Sequence, residues 1–241
     1  MREPNPVTRA AMASDEPVFR QVGVGPWQEE HPEQPMPMDP RYDLELLEQG
    51  DRRNVLDRYR YWKVEAIRDD LDRRGRHDFE VAVENWTHDF NIGSMVRTAN
   101  AFAARRVHIV GPHKWNRKGS LMTELYQHVV HDPDIATMMA TLQEEAAGRG
   151  ESVPRMIAID NVSGAVPMET YHFPRRCLLM FGAEGPGLSE KALELADDVV
   201  YISQFGSVRS INAGAAAAVA MHSWIRQHAR VADQSDQGPL P

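Results

Sequence analysis

Three short stretches of this chain set reactive side chains among glycines. In the first, Phe181-Gly182-Ala183-Glu184-Gly185-Pro186-Gly187-Leu188, a carboxylate stands between glycines directly after an apolar run. Glycine has no side chain to block contact, so bare backbone can approach a ligand there. A carboxylate in such a turn is costly unless it is hydrogen-bonded, paired or in a ligand cleft. The second stretch, Gly206-Ser207-Val208-Arg209-Ser210-Ile211-Asn212, opens an alanine-rich run. A Ser or Asn is a normal helix cap, which accounts for one of Ser210 and Asn212 but not both. Free amides at that helix start would also favour a carboxylate or phosphate. The third stretch, Asn91-Ile92-Gly93-Ser94-Met95-Val96-Arg97, presents an asparagine and an arginine, whose fork suits a phosphate or a polar ribose edge. Residues near Arg97, Glu184 and Ser210 are expected to line one pocket.

Other chemistries lack their residues. No G-x-G-x-x-G opens a first strand–helix unit and no Gly-Lys-Ser/Thr follows the 182–187 turn, so neither a dinucleotide fingerprint nor a Walker loop is present. His128 and His131 are too few for a zinc site, and no metal is expected. Cys177 begins an apolar strand without a basic partner and reads as core. No G-x-S-x-G elbow occurs.

The elements that must hold these residues alternate. Apolar runs at Glu80–Glu84, Arg106–Val110, Met156–Asp160, Cys177–Phe181 and Val199–Ile202 read as short strands. Between them lie helical patterns: Ile92/Met95/Val96/Ala99/Phe102 behind cap candidates Asp89 and Asn91, and Ile135/Met138/Leu142/Ala146 between Asp134 and Gly148. A short helix follows Ser189, and a last one runs from after Ser210 to about Gln227. Strands alternating with helices predict an α/β fold with a mostly parallel sheet. The alanine run at 213–220 makes a thin helix that permits close approach to a neighbour.

Charge is spread unevenly over the 241 residues, whose formal net is −8. Residues 1–51 hold eleven acids, four bases and eight of the sixteen prolines, and read as an acidic, partly disordered extension. Trp27, Tyr42, Leu44, Leu46 and Leu47 are the residues able to pin parts of it down. Residues 52–78 turn basic, with Tyr59, Tyr61 and Trp62 interleaved among arginines, and read as an amphipathic helix or helix pair. Residues 79–228 form the α/β domain, and 229–241 a frayed tail. One cysteine excludes an intrachain disulfide framework, and no apolar run approaches the ~20 residues of a membrane span. A soluble, cytoplasmic protein is expected.

Taken in order, the three stretches resemble the motifs of the SpoU/TrmH-type RNA 2′-O-methyltransferases of the SPOUT superfamily. Asn91-x-Gly93 followed by Arg97 matches the first motif, Phe181 through Leu188 the second, and Ile202-Ser203-Gln204-Phe205-Gly206 through Ser210-Ile211-Asn212 approximates the third. The likeness spans about residues 79–228. It implies a deep C-terminal trefoil knot, a homodimer and S-adenosylmethionine as cofactor, with transfer or ribosomal RNA as substrate. Carried over by position, Gly182, Gly187, Ile202, Gln204, Gly206 and Ile211 would hold the cofactor. Arg97, Asn91, Glu184, Ser210 and Asn212 would serve the reaction. Departures are Ser203 for a proline, which predicts a less rigid turn, Ile211 for a leucine, Ala213-Gly214 for Val-Ser, and Ala103 for a common glycine.

In the implied reaction a ribose 2′-hydroxyl attacks a sulfonium methyl in line. A guanidinium normally keeps its proton to above pH ~12, so Arg97 is assigned to orient ribose or phosphate and to stabilise developing alkoxide. For RNA capture, Arg58, Arg60, Arg73 and Arg74 of the basic segment and Lys114, Arg117 and Lys118 are the expected phosphate contacts. The rival readings are a non-catalytic RNA-binding protein of this fold and a knotted methyltransferase acting on a base nitrogen.

Overall fold

A computed structural model describes residues 6–14, 22–87 and 90–230. The cap candidate Asp89 lies outside the described residues, as do the last eleven residues of the tail. By its internal contacts the chain divides into two units at Lys63/Val64.

In the N-terminal unit, α1 (Pro6–Ala13) buries no side chain. Two short helices follow, α2 (Trp27–Glu30) and α3 (Leu44–Gln49), the latter capped by Asp43, which accepts from the Glu45 and Leu46 amides. Trp27, Tyr42, Tyr59, Tyr61 and Trp62 pack edge to face at centroid distances of 5.5–6.4 Å. Leu47 is buried with them in this unit, whereas Leu44 is exposed. Buried Asp51 accepts from Arg53 Nε at 2.9 Å and from the Tyr61 amide at 2.9 Å. The helix expected from 52 onward does not form as one piece. Only a 3-10 turn, Asp57–Tyr59, precedes α4 (Val64–Arg74), because Tyr61 takes a φ of 63° that no right-handed helix admits.

The second unit is built on seven parallel strands. In chain order, α4 is followed by β1 (Phe79–Glu84), α5 (Ile92–Ala101), β2 (Val107–Val110), β3 (Val129–Asp132) and α6 (Ile135–Arg149). Then come β4 (Arg155–Ile159), β5 (Val166–Pro167), β6 (Cys177–Phe181), α7 (Glu190–Leu195), β7 (Asp198–Tyr201) and α8 (Ala213–His228). The sheet order is β3-β2-β1-β6-β4-β7-β5. Register is continuous across the centre, with Val81 opposite both Val107 and Leu179, and Leu179 opposite Ile157.

Period-two alternation sorts the central strands onto two cores. Phe79, Val81, Val83, Leu179 and Phe181 face α5 and α8, where Met95, Ala217 and Trp224 are fully buried. Ala82, Leu178 and Met180 face α6 and α7, against Met138, Leu142 and Ala192. Cys177 belongs to the first core, where burial pushes its thiol up to about 12. Helix α6 takes the N-cap expected of it, Asp134 accepting from the Thr137 amide, but it runs through Gly148 and closes instead at Gly150, whose φ is 64°. Edge strand β3 and two-residue β5 escaped the apolar-run criterion, since β3 mixes valines with His131 and Asp132 and is only half-buried.

Candidate active site

The site begins where β6 ends. A Cβ on Gly182 would lie 2.0 Å from the Gly187 carbonyl carbon, so the turn closes on itself only with glycine at 182. Gly187, at a φ of 74°, bonds back to the Ala183 carbonyl at 3.0 Å. Two carboxylates pin the turn's far end. Asp160, just beyond β4, accepts from the Leu188 amide at 2.9 Å, and Glu84 of β1 accepts from the Ser189 amide at 2.7 Å. Neither is singled out by the sequence, because a lone acid at a strand end carries no motif.

Glu184 projects from this turn and finds its partners on two other segments. Its Oε2 accepts from Asn91 Nδ2 at 2.8 Å, from the Ala213 amide at 3.0 Å and from Asn212 Nδ2 at 3.4 Å. Asn212 also donates to Asn91 Oδ1 at 2.9 Å and caps α8 by accepting from the Ala215 amide at 3.1 Å. One carboxylate thus meets the partial positive charge at the start of α8 and draws all three motifs together. Asn91 does not cap α5 with its side chain; it reaches across to Glu184 instead. The thin helix start is necessary here, since a Cβ on Gly214 would come 2.7 Å from Ser94 Oγ.

Beside this cluster lies a cleft of about 300 Å³, within the range of small-ligand sites. Gly182, Gly187, Ile202, Gln204, Ser210, Ile211 and Glu184 line it, with Asp160, Asn161, Tyr201 and Arg209. It opens beyond the carboxyl ends of β4, β6 and β7, the place where open parallel sheets take ligands. Gln204 Oε1 is buried with no hydrogen-bond partner among the described residues, an acceptor that a ligand's N–H could satisfy. Ser203, where a proline is usual, donates through its amide (3.1 Å) and hydroxyl (2.9 Å) to Glu169. Proline has no N–H to give, so the turn expected to be looser carries a tether of its own.

Arg97 and Gly206 are not brought to the cleft wall. Arg97 is exposed on α5 with no carboxylate partner among the described residues, and the space beside Gly206 is open. The expectation of one pocket lined by Arg97, Glu184 and Ser210 is therefore met by the last two alone. Gly93 has a different use: a Cβ there would meet Gly119 Cα at 2.8 Å and the Ser120 amide at 2.9 Å.

A wider groove of about 1350 Å³ runs along β2 and β3. Lys114 and Arg117 line it together with Arg68, Arg76, Arg105 and Arg106, while Lys118 does not. Of the other nominated cations, Arg73 and Arg74 both pair with Asp70, Arg60 with Asp57, and Arg58 stacks over Tyr59 at 5.0 Å. His128 bonds to Asp72 and His131 to the Gly111 carbonyl, which accounts for both rings. Under the sheet edge, His108 sits between Asp132 (2.8 Å) and Glu80 (3.0 Å), all three buried.

These features define a parallel α/β protein with a candidate ligand cleft at the carboxyl ends of its central strands, lined by the loops that follow β6 and β7. The chain belongs to the SpoU rRNA Methylase family, whose sequence model matches residues 78–222. It is 29% identical over 169 residues to the tRNA (guanosine(18)-2'-O)-methyltransferase of Thermus thermophilus, covering 64% of this chain and 78% of that protein. It is 30% identical to the 23S rRNA (uridine(2479)-2'-O)-methyltransferase of Streptomyces viridochromogenes, covering 68% of this chain and 58% of the relative. Among solved structures it is similar to the SpoU methyltransferase AviRb from that organism in complex with AdoMet. The TM-score is 0.56 and the identity 30%, with 66% of this chain and 62% of the other covered. The match thus leaves more than a third of the Streptomyces proteins uncovered.

Proposed function

We propose that this protein transfers a methyl group from S-adenosylmethionine to a ribose 2′-hydroxyl of transfer or ribosomal RNA. The observation that carries this reading is the cleft itself: motif residues from two loops converge on it, and it contains a buried acceptor without a partner among the described residues. The residues fit the cofactor. Gln204 Oε1 would accept an N–H, Ile202 and Ile211 offer apolar surface, and the 182–187 backbone leaves room for close approach. Bound there, S-adenosylmethionine supplies an electrophilic sulfonium methyl. The protein's share is then alignment, exclusion of water and charge stabilisation.

Glu184, Asn91 and Asn212 hold the cleft's shape rather than react, because their polar atoms are committed to one another and to the α8 amide. Arg97 lies six residues along from Asn91, about 9 Å of helix rise, and an arginine side chain leans toward the helix start. From there it orients the incoming ribose or its phosphate and stabilises the alkoxide as it forms. The RNA body lies in the groove along β2 and β3, where Lys114 and Arg117 would meet its phosphates while Arg76, Arg105 and Arg106 stay paired with Asp72, Glu151 and Glu145. The deep C-terminal knot, a homodimer and a cytoplasmic location belong to the same reading. Among the described residues no helix is long and apolar enough to cross a membrane.

Titration calorimetry with S-adenosylmethionine tests the reading directly. Saturable binding at one site per chain, weakened when Gln204 is changed to alanine, supports it. A protein that takes up none does not perform this chemistry.

A further inference from the structure

The loop between β7 and α8 carries two side chains that the cleft's architecture does not use. Phe205 is 96% exposed, although its neighbour Gln204 turns into the cleft. Arg209 lines the cleft and has no ion-pair or hydrogen-bond partner for its guanidinium among the described residues. Its backbone is anchored, its carbonyl accepting from Asn161 Nδ2 at 3.2 Å, and Ser210 follows it on the cleft wall. The two carboxylates lining this cleft are already engaged. Asp160 holds the Leu188 and Asn161 amides, and Glu184 holds the start of α8. The cleft mouth therefore presents an unneutralised cation and, on the same loop, a bare aromatic ring.

A phenyl ring left in water forgoes the gain of burial, and a nucleobase offers a π-face to cover it. An arginine without a carboxylate partner suits a phosphate. A ribose cannot present its 2′-hydroxyl deep in a cleft while its nucleotide stays stacked in a helix, so the substrate nucleotide arrives unstacked. We propose that Phe205 and Arg209 form a clamp for one unstacked ribonucleotide of the RNA, the ring stacking on its base and the guanidinium holding its phosphate. This rests on the methyl-transfer reading and adds how the substrate is gripped: through a single-stranded nucleotide, by a loop distinct from the basic groove.

The test uses the full chain and a fluorescein-labelled 20-nucleotide single-stranded RNA of mixed sequence, with the same RNA as a duplex for comparison. The clamp predicts that Phe205→Ala weakens single-strand binding about tenfold, that Phe205→Trp restores it to within threefold, and that duplex binding is unchanged. Arg209→Gln should reduce the slope of log K against log salt by about 0.7, the share of one phosphate on a single strand. Affinity for S-adenosylmethionine should match the wild type in the two Phe205 variants, and the sedimenting mass in all three. Variants that bind single strand as the wild type does overturn the clamp. So does a change of mass in Phe205→Ala, which would assign the ring to contact with a second copy of the chain. A wild-type protein without affinity for S-adenosylmethionine overturns the methyl-transfer reading, whereas normal cofactor uptake beside unaltered RNA binding overturns the clamp alone.

Discussion

Glu184→Ala is the perturbation that separates a shaping role for this carboxylate from a chemical one. The substitution removes the acceptor of three donors: Asn91 Nδ2 at 2.8 Å, the Ala213 amide at 3.0 Å and Asn212 Nδ2 at 3.4 Å. A hydrogen bond to a charged group contributes about 1.5–3 kcal/mol, and an acid at a helix start about 0.3–1 kcal/mol. Glu184 is exposed, so water can replace part of what is lost and solvent screens the charge. The expected net loss is about 1–2 kcal/mol, or roughly 3–6 °C in Tm for a domain of this size. The loosened segment holds Ser210 and Ile211, both on the cleft wall, so cofactor affinity should fall by about tenfold, the equivalent of 1.4 kcal/mol. Thermal unfolding and titration calorimetry read the two effects. Glu184→Gln, which keeps an acceptor oxygen but not the charge, should fall between. A Glu184→Ala protein with wild-type Tm and wild-type cofactor affinity, but slow methyl transfer, would refute the shaping role and return Glu184 to chemistry.

Other outcomes follow from named atoms. Arg97→Ala should lower the methyl-transfer rate by about 10²–10³, as loss of one charge-stabilising donor does, with cofactor affinity unchanged by calorimetry. Gly182→Ala drives a Cβ to 2.0 Å from the Gly187 carbonyl carbon, and should cost at least about 2 kcal/mol in denaturant unfolding and abolish cofactor binding. Ala103→Gly should stabilise by roughly 0.5–1 kcal/mol in the same assay, because Ala103 sits at a φ of 48° in the turn that ends α5. For His108, burial pulls the imidazole down but the bonds to Asp132 and Glu80 outweigh it and raise it. Burial pushes Glu80 up, yet the His108 bond and charge hold it below the usual range. The histidine's contribution is therefore complete below its unfolded value of about 6.5 and is lost as pH rises through its folded one, while Glu80's is lost as pH falls below about 4.5 toward its own. His108→Gln should cost about 3–5 kcal/mol near pH 6 and less at pH 9, read as the gap in unfolding free energy from the wild type.

Much of this molecule is legible in its residue order where one local rule decides the outcome. Cys177–Phe181 reads as a buried strand because five apolar residues meet a glycine turn, and Asp134 marks the start of α6 by capping alone, although the helix ends at Gly150 and not at Gly148. The turn that borders the candidate cleft is legible for the same reason, through glycines whose steric cause shows at Gly182. What stayed hidden depends on partners far apart in the chain. Asn91 reads as a cap, yet its amide goes to a carboxylate 93 residues away. Asp160 and Glu84 are single acids until the turn after β6 folds onto them. The basic segment after residue 51 has helical spacing, but Tyr61 breaks it in favour of the aromatic cluster around Trp27 and Trp62.

The most direct measurement labels the transferred group. The wild-type protein is incubated with methyl-labelled S-adenosylmethionine and unmodified transfer and ribosomal RNA, and the RNA is digested to nucleosides for mass spectrometry. The structure predicts label in a 2′-O-methylnucleoside and its loss in Arg97→Ala. Label on a base nitrogen, or RNA that binds but gains no label, would contradict it.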